Sequence, residues 1–429
     1  MMKKFRWLAA AGSFLLPFGA MLVADSAKIA APLTGPAAFV SSKDQKPGTF
    51  RKITATDLPT PAKGTPNFGK MAPRGDRMPQ APPGFKVEQY AHDNLKAPRQ
   101  IRMAPNGDFF VAEEAAGQVL VVHDNSGKPE ISVYASGFQV PFGINFYPPG
   151  PNPQWVYLGN TGSVVRFPYK NGDRKASAAP ETLISDLPPM GNHRTRDIVF
   201  SKDGKRMFVA VGSADNVSDN QAVQDHRANI LEYTPEGKFV KIYASGIRNP
   251  VGLGVNPTTG DVWCSVNERD NLGDNLVPDY ITSVKEDGFY GWPWFYIGQH
   301  DDPRAKMARP ADKTIDKVIV PDVLVTAHSA SLGLTFYEGS QFPREYRGDL
   351  FAAEHGSWNR SVRSGHEVVR VPLNKGKSTG VFEDFLTGFV TPDGAPWGRP
   401  VGVATGKDGA LYVTDEGSAS IWKVSYTGK

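Results

Sequence analysis

The residues with the types and spacing for chemistry fall in short polar runs, each set just before a strand-like apolar segment. His193-Arg194-Thr195-Arg196 places an imidazole among guanidiniums, and Arg248-Asn249 pairs a cation with an amide. Arg99-Gln100, Gln139, His328-Ser329 and Arg399 occupy matching places elsewhere in the chain. A second series, Glu113-Glu114, Asn160, Ser213, Asn267-Glu268, Glu354-His355 and Asp415-Glu416, closes other apolar segments. Cations and amides gathered at one place are costly unless solvent or an anionic, oxygen-rich ligand compensates them. Beside Arg194 and Arg196 the imidazolium of His193 is disfavoured, so a neutral, base-competent histidine is expected there, with a purely structural role as the competing reading. The acidic stretch Asn267 to Asn275, with Asp279, carries oxygen ligands at loop spacing that suit either Ca2+ or a solvated turn.

What must position these runs is a repeat. An apolar strand, a polar connector, a Gly- or Pro-flanked strand, a Gly-centred turn and a third strand recur six times from Phe85 onwards. The turns include Asn106-Gly107, Asp203-Gly204, Thr259-Gly260, Arg347-Gly348 and Asp408-Gly409. Such a unit cannot bury its apolar faces alone, whereas six of them stacked around an axis can. The pattern predicts an all-β fold, a six-bladed β-propeller of four-stranded antiparallel blades over residues 84–429. The chain ends on a strand, Ile421 to Tyr426, that lacks an outer neighbour. The N-terminal strand Phe85 to Tyr90 is therefore expected to close the ring. In that arrangement the polar runs converge at one mouth of the central channel. An insertion between Gly260 and Gly348 holds the aromatic run Gly288 to Trp294, expected to serve as core packing or as a wall for a sugar ring.

Composition agrees with many short strands: there are 44 Gly and 36 Pro, with 40% hydrophobic residues. A net charge of +4 with no basic block makes nucleic acid a poor partner. Cys264 is the sole cysteine, which excludes an internal disulfide and covalent c-type haem. Any electron carrier is then non-covalent or a separate protein. Residues 1–27 read as an export signal: Lys3, Lys4 and Arg6 precede an apolar run from Trp7 to Ala24, followed by small residues. A periplasmic or secreted protein is expected, with an uncleaved membrane anchor as the second reading. Residues 28–83 form a Pro-rich arm or linker.

Gly246-Ile-Arg-Asn-Pro250, Gly288-Phe-Tyr-Gly-Trp-Pro293, Gly191-Asn-His-Arg194 and His355-Gly-Ser-Trp-Asn-Arg360, in this order on six repeats, resemble the quinoprotein sugar dehydrogenases, especially the sorbosone dehydrogenase branch. The resemblance implies pyrroloquinoline quinone (PQQ) and Ca2+ as cofactors, a sugar or sugar-aldehyde substrate, and a separate electron acceptor, either a soluble cytochrome or a membrane quinone chain. It makes His193 the base and Arg248 its catalytic companion, stabilising charge on the reduced cofactor. Gln139, Asn192, Arg248, Asn249, His355 and Arg399 become cofactor contacts, and the carbonyls of Glu268 and Arg269 metal ligands. The chain departs from the glucose-oxidising pattern at Asn192, Ser213, His355 and Trp397. Two other readings remain at this stage: a calcium-dependent propeller lactonase, and a non-catalytic sugar-binding propeller.

Overall fold

The computed structural model describes residues 1–2, 30–189, 191–217 and 224–428. The expected export signal thus falls almost wholly outside the described residues. No helix among them is long and apolar enough to cross a membrane.

Six antiparallel sheets form the six blades of a propeller. Their innermost strands are Pro98–Met103, Ile144–Tyr147, Ile198–Phe200, Pro250–Val255, Ser331–Phe336 and Pro400–Thr405, numbered here as blades 1 to 6. Closure follows the expected route. Phe85–Ala91 pairs antiparallel with Ser420–Tyr426, from Phe85 opposite Tyr426 to Ala91 opposite Ile421, and completes blade 6.

Close approach at the axis explains part of the repeat. Three inner strands carry glycine at one register point, Gly252, Gly333 and Gly402, and Gly143 stands just before a fourth; a Cβ on each would lie within 2.7 Å of a carbonyl oxygen of the next blade. Any larger residue there would force the blades apart. At the same point blades 1 and 3 carry Gln100 and Asp197. Both are fully buried, and Gln100 Nε2 donates to Asp197 Oδ2 at 3.0 Å. Arg102 adds an ion pair to Asp197 at 3.0 Å, so the channel is plugged by satisfied polar groups beneath the mouth.

Two blades exceed four strands. Gly288–Phe289, from the insertion, adds in parallel to the outer strand of blade 3. Thr49–Arg51, from the Pro-rich arm, pairs with Phe382–Leu386 as a fifth strand of blade 5. The arm therefore lies on the body. Its anchor is Arg51, fully buried, with Nε donating to Asp384 Oδ1 at 2.7 Å, Nη2 to Glu367 Oε1 at 2.9 Å and Nη1 to Thr326 Oγ1 at 2.8 Å.

Candidate functional site

A cavity of about 320 Å³ opens at the channel mouth where the polar turns converge. The leading ends of inner strands supply Arg99, Arg194, Asn249 and Arg399 to its wall; the residues following second strands supply Glu114, Asn267 and His355. Asn192 and His193 join them from the connection into blade 3. Gly212 lets two of these meet: a Cβ there would lie 2.2 Å from Asn249 Oδ1 and 2.6 Å from His193 Cβ.

His193 Nδ1–H donates to the Ser213 carbonyl at 2.8 Å, with Ser213 Oγ 3.0 Å away. That bond fixes the tautomer and leaves the Nε2 lone pair free. Burial, then the Arg248 guanidinium, push the imidazole well down, to about 3. The ring's partial exposure to the cavity moderates this shift without changing its sign. His193 is therefore a neutral base at any ordinary pH.

The cations of the mouth are largely compensated within the chain. Arg99 pairs with Glu114 at 3.0 Å and with Glu416, and Arg194 reaches Glu114 at 3.7 Å. Arg399 Nη2 donates to His355 Nδ1 at 2.9 Å, and His355 Nε2 lies 3.3 Å from Glu416 Oε1. Burial works against ionised Glu416, yet His355, Arg99 and Arg399 hold it well below the usual carboxylate range. Three guanidiniums against two carboxylates leave a net positive mouth. Asn249 Oδ1 and Arg399 Nε are buried without a hydrogen-bond partner. An orphaned guanidinium donor, Arg399 Nε, on a positive, half-enclosed wall fits a planar, oxygen-rich anion such as a tricarboxylated quinone, whereas the Asn249 carbonyl oxygen calls for a donor.

Of the expected contacts, Gln139, Arg248, Glu268 and Arg269 do not line this cavity. Gln139 is exposed, on a turn whose carbonyl accepts from Thr161 N at 3.2 Å. Arg248 lies beneath the cavity wall. Its Nη1 donates to Glu268 O at 2.7 Å and Asn267 O at 3.2 Å, and its Nη2 to Asn216 Oδ1 at 3.0 Å and Asp270 Oδ2 at 3.3 Å. Arg248 thus acts on the site through His193 and the wall it braces. Arg269 is fully buried and spends its guanidinium on Glu268 Oε2, Asp302 Oδ2 and the carbonyls of Pro293 and Phe295.

The calcium expectation rests on the backbone carbonyls of Glu268 and Arg269. The Glu268 carbonyl accepts from Arg248 Nη1 at 2.7 Å, and among the described residues no group of three or more His, Cys, Asp or Glu side chains offers a separate metal site. The acidic loop instead braces the fold. Asp270 pairs with Arg248, Asp274 accepts from Ser361 N at 3.2 Å, and Asp279 accepts from the backbone of Glu268 and Ala330. Sequence reasoning missed Asn216 and Asp270 as the holders of Arg248, because neither carries a signal separable from its loop. It also missed Trp358, quoted only as part of a motif, which lines the cavity. The run Gly288 to Trp294 is mostly core, and it walls a separate cavity of about 440 Å³ through Phe289, Trp292 and Trp294.

The model of the glucose/sorbosone dehydrogenase family matches residues 95–423. The chain belongs to that family. Among curated relatives of this chain, a protein of Borreliella burgdorferi is 29% identical over 361 residues, covering 81% of this chain and 90% of its own length. The aldose sugar dehydrogenase of Escherichia coli is 27% identical, covering 62% of this chain and 70% of its own. The holo PQQ domain of Coprinopsis cinerea pyranose dehydrogenase superposes with a TM-score of 0.67 at 21% identity, covering 82% of this chain and 98% of that domain, which shows a shared fold.

Five buried groups shape the pH response of this protein's stability. His193 and His366 are pushed to about 3 and His355 to about 4, first by burial and then by a nearby arginine. Glu354 is pushed up to about 8 and Asp279 to about 7, chiefly by burial. With folded values depressed, the histidines give stability that is present above about pH 6.5 and lost as pH falls towards those values. The carboxyls have the opposite sign: their stability is full below the ordinary carboxylate range and lost as pH rises through 7 to 8. Urea midpoints should therefore plateau near pH 5–7, decline towards pH 8, and fall steeply below about pH 4.5. Three titrating histidines give at most about 4 kcal/mol per pH unit there. A profile flat down to pH 4 would contradict the burial of these groups.

Proposed function

We propose that this chain oxidises an aldose or a sugar aldehyde of the sorbosone type with PQQ bound in the cavity. The observation that carries the reading is His193, a neutral base with a free Nε2 and a fixed tautomer, at the wall of a positive cavity with orphaned polar atoms. Further support comes from the family and from the quinone named for its holo relative. Bound there, the quinone supplies a carbon that accepts hydride. Arg399, Arg99, Asn192, Asn249 and His355 would hold its carboxylates and carbonyls. His193 Nε2 takes the proton of the anomeric hydroxyl, and Ser213 keeps the ring aimed. Arg248, braced beneath, keeps His193 unprotonated. A Ca2+ ion would be held by the backbone carbonyls of Glu268 and Arg269, the first of which also accepts from Arg248 Nη1.

The reduced site must be emptied by a separate carrier, a soluble cytochrome or a membrane quinone, since a single cysteine excludes covalent c-type haem. The basic and apolar N-terminus supports work outside the cytoplasm. Titrating the protein with PQQ should give saturable binding at micromolar concentration, and the loaded protein should reduce an artificial dye with an aldose. No binding, or lactone hydrolysis by quinone-free protein, would overturn the assignment.

A further inference from the structure

Beside the insertion that carries Gly288 to Trp294 lies the second cavity, of about 440 Å³, a size that suits a small molecule. Phe289, Trp292, Trp294, Ile242 and Met307 give it an apolar, largely aromatic wall. Two cations reach that wall. Lys313 Nζ lies 5.0 Å from the centre of the Phe289 ring and donates to Ser245 Oγ at 3.1 Å. Arg227 is buried, its donors given to the carbonyls of Gly212 at 3.1 Å and Pro188 at 2.9 Å, and the Asp215 charge offsets only part of the cost of burying it. The other acids at hand answer elsewhere: Asp225 and Asp312 are exposed, and Asp287 is engaged by Lys241 at 3.0 Å. The two cavities also share a wall. Gly246 lines this one and Asn249 the other, so three residues, about 11 Å of chain at most, separate them. Trp292 Nε1 donates to Asn216 O at 3.0 Å, and Asn216 in turn holds Arg248 beneath the first cavity.

On the sugar-oxidising reading above, on which this inference rests, cofactor and substrate fill the mouth and electrons leave to a separate acceptor. The geometry points to the second cavity as the seat of that acceptor, a lipid-tailed quinone whose ring enters between Phe289, Trp292 and Trp294. A planar ring suits aromatic walls, and a quinone carbonyl oxygen can accept from Lys313 Nζ. Negative charge arriving with the electrons then falls beside two cations already in place, Lys313 and Arg227. The tail has a place as well. Ile242 lines the cavity, and with Phe239 and Val240 it leaves apolar surface in water on the outer strand of blade 3. The acceptor takes two electrons across the shared wall and two protons from water, becoming its quinol. Two protons are released at the mouth as the bound cofactor returns from quinol to quinone.

Tryptophan fluorescence of the PQQ-free protein, titrated with decyl-benzoquinone, tests the site without turnover. Quenching should saturate at micromolar concentration and be unchanged by prior loading with PQQ. It should weaken about tenfold in Lys313→Met, which removes a charged donor, and as much in Ile242→Glu, which sets a carboxylate in the apolar wall. Both side chains reach solvent, so neither change disturbs the core. Benzoquinone without a tail should bind about tenfold more weakly, the worth of roughly two buried methylenes; equal affinity would overturn the place given to the tail. In the loaded protein both substitutions should raise KM for the tailed quinone about tenfold and leave KM for the sugar unchanged. Saturable quenching in a protein that oxidises no sugar supports the pocket, and only the activity reading then fails. Purely collisional quenching, or quenching that PQQ displaces, overturns the pocket, and sugar oxidation with a soluble cytochrome in that same protein would keep the activity.

Discussion

Replacing His193 by alanine should lower the turnover of the quinone-loaded protein by about 10²–10⁴-fold, the range associated with a positioned general base, while leaving quinone affinity within a few-fold. The separation follows from the geometry. His193 has no salt bridge to lose, and its one fixed partner is the Ser213 carbonyl through Nδ1. Apart from its neighbours Asn192 and Arg194, the cavity cations and amides that would bind an anionic cofactor stand on other segments. The wild-type pH profile is the second half of this test. A free histidine would bring an acid limb near pH 6.5, but burial and Arg248 push His193 to about 3. Rates measured from pH 8 down to pH 5 should show no limb from this residue. A limb near 6.5 that disappears in His193→Ala would mean that the imidazole is solvated and Arg248 does not control it. Turnover surviving within tenfold in His193→Ala would remove it from the reaction.

Arg51→Ala should cost about 3–5 kcal/mol of stability at neutral pH, the scale seen when one partner of a buried ion pair is removed. The guanidinium serves Asp384, Glu367, Thr326 and the Ala38 carbonyl, and it lies over the Phe382 ring at 4.5 Å from the centroid. Without it two carboxyl groups remain in a dry blade edge with no cation. Burial displaces both above the ordinary carboxylate range, and the Asp384 charge raises Glu367 further. The loss should shrink on acidification, because protonating Glu367 and Asp384 removes the unpaired charge. Urea denaturation at pH 7 and pH 5 reads both effects. A loss under about 1 kcal/mol at pH 7 would mean that the arm is an ornament of blade 5. A full loss would make residues 30–83 a structural part of the propeller.

Strands with strong apolar alternation and Gly-centred turns were legible locally, and so was the closure of the ring by Phe85 to Tyr90 beside Ile421 to Tyr426, because a ring has only one way to use an unpaired last strand. Asn229–Tyr233 and Tyr280–Ser283, third strands of blades 3 and 4, were not legible. Each follows a long polar connection that breaks the repeat spacing. The fifth strand of blade 5 was hidden for another reason. Thr49–Arg51 is three residues long, and its partner lies more than 300 residues away.

The site divides along the same line. Position relative to an inner strand is a local property, and it placed Asn192, His193, Asn249, His355 and Arg399 around one cavity. Side-chain direction is not local. Arg248 and Asn249 are adjacent in sequence, yet the amide joins the cavity wall while the guanidinium turns under it to the carbonyls of Asn267 and Glu268. Successive residues at a strand start face opposite ways, and a buried guanidinium goes where enough acceptors are gathered. Those acceptors come from Asn216 and the loop at Asp270, and only the assembled blades bring them together. The sequence by itself determined the repeat, its closure and the ring of polar turns, since periodicity and glycine placement are written residue by residue. Which of those polar groups meet a ligand, which brace the wall, and that the arm joins blade 5 were decided by tertiary contacts between segments far apart in the chain.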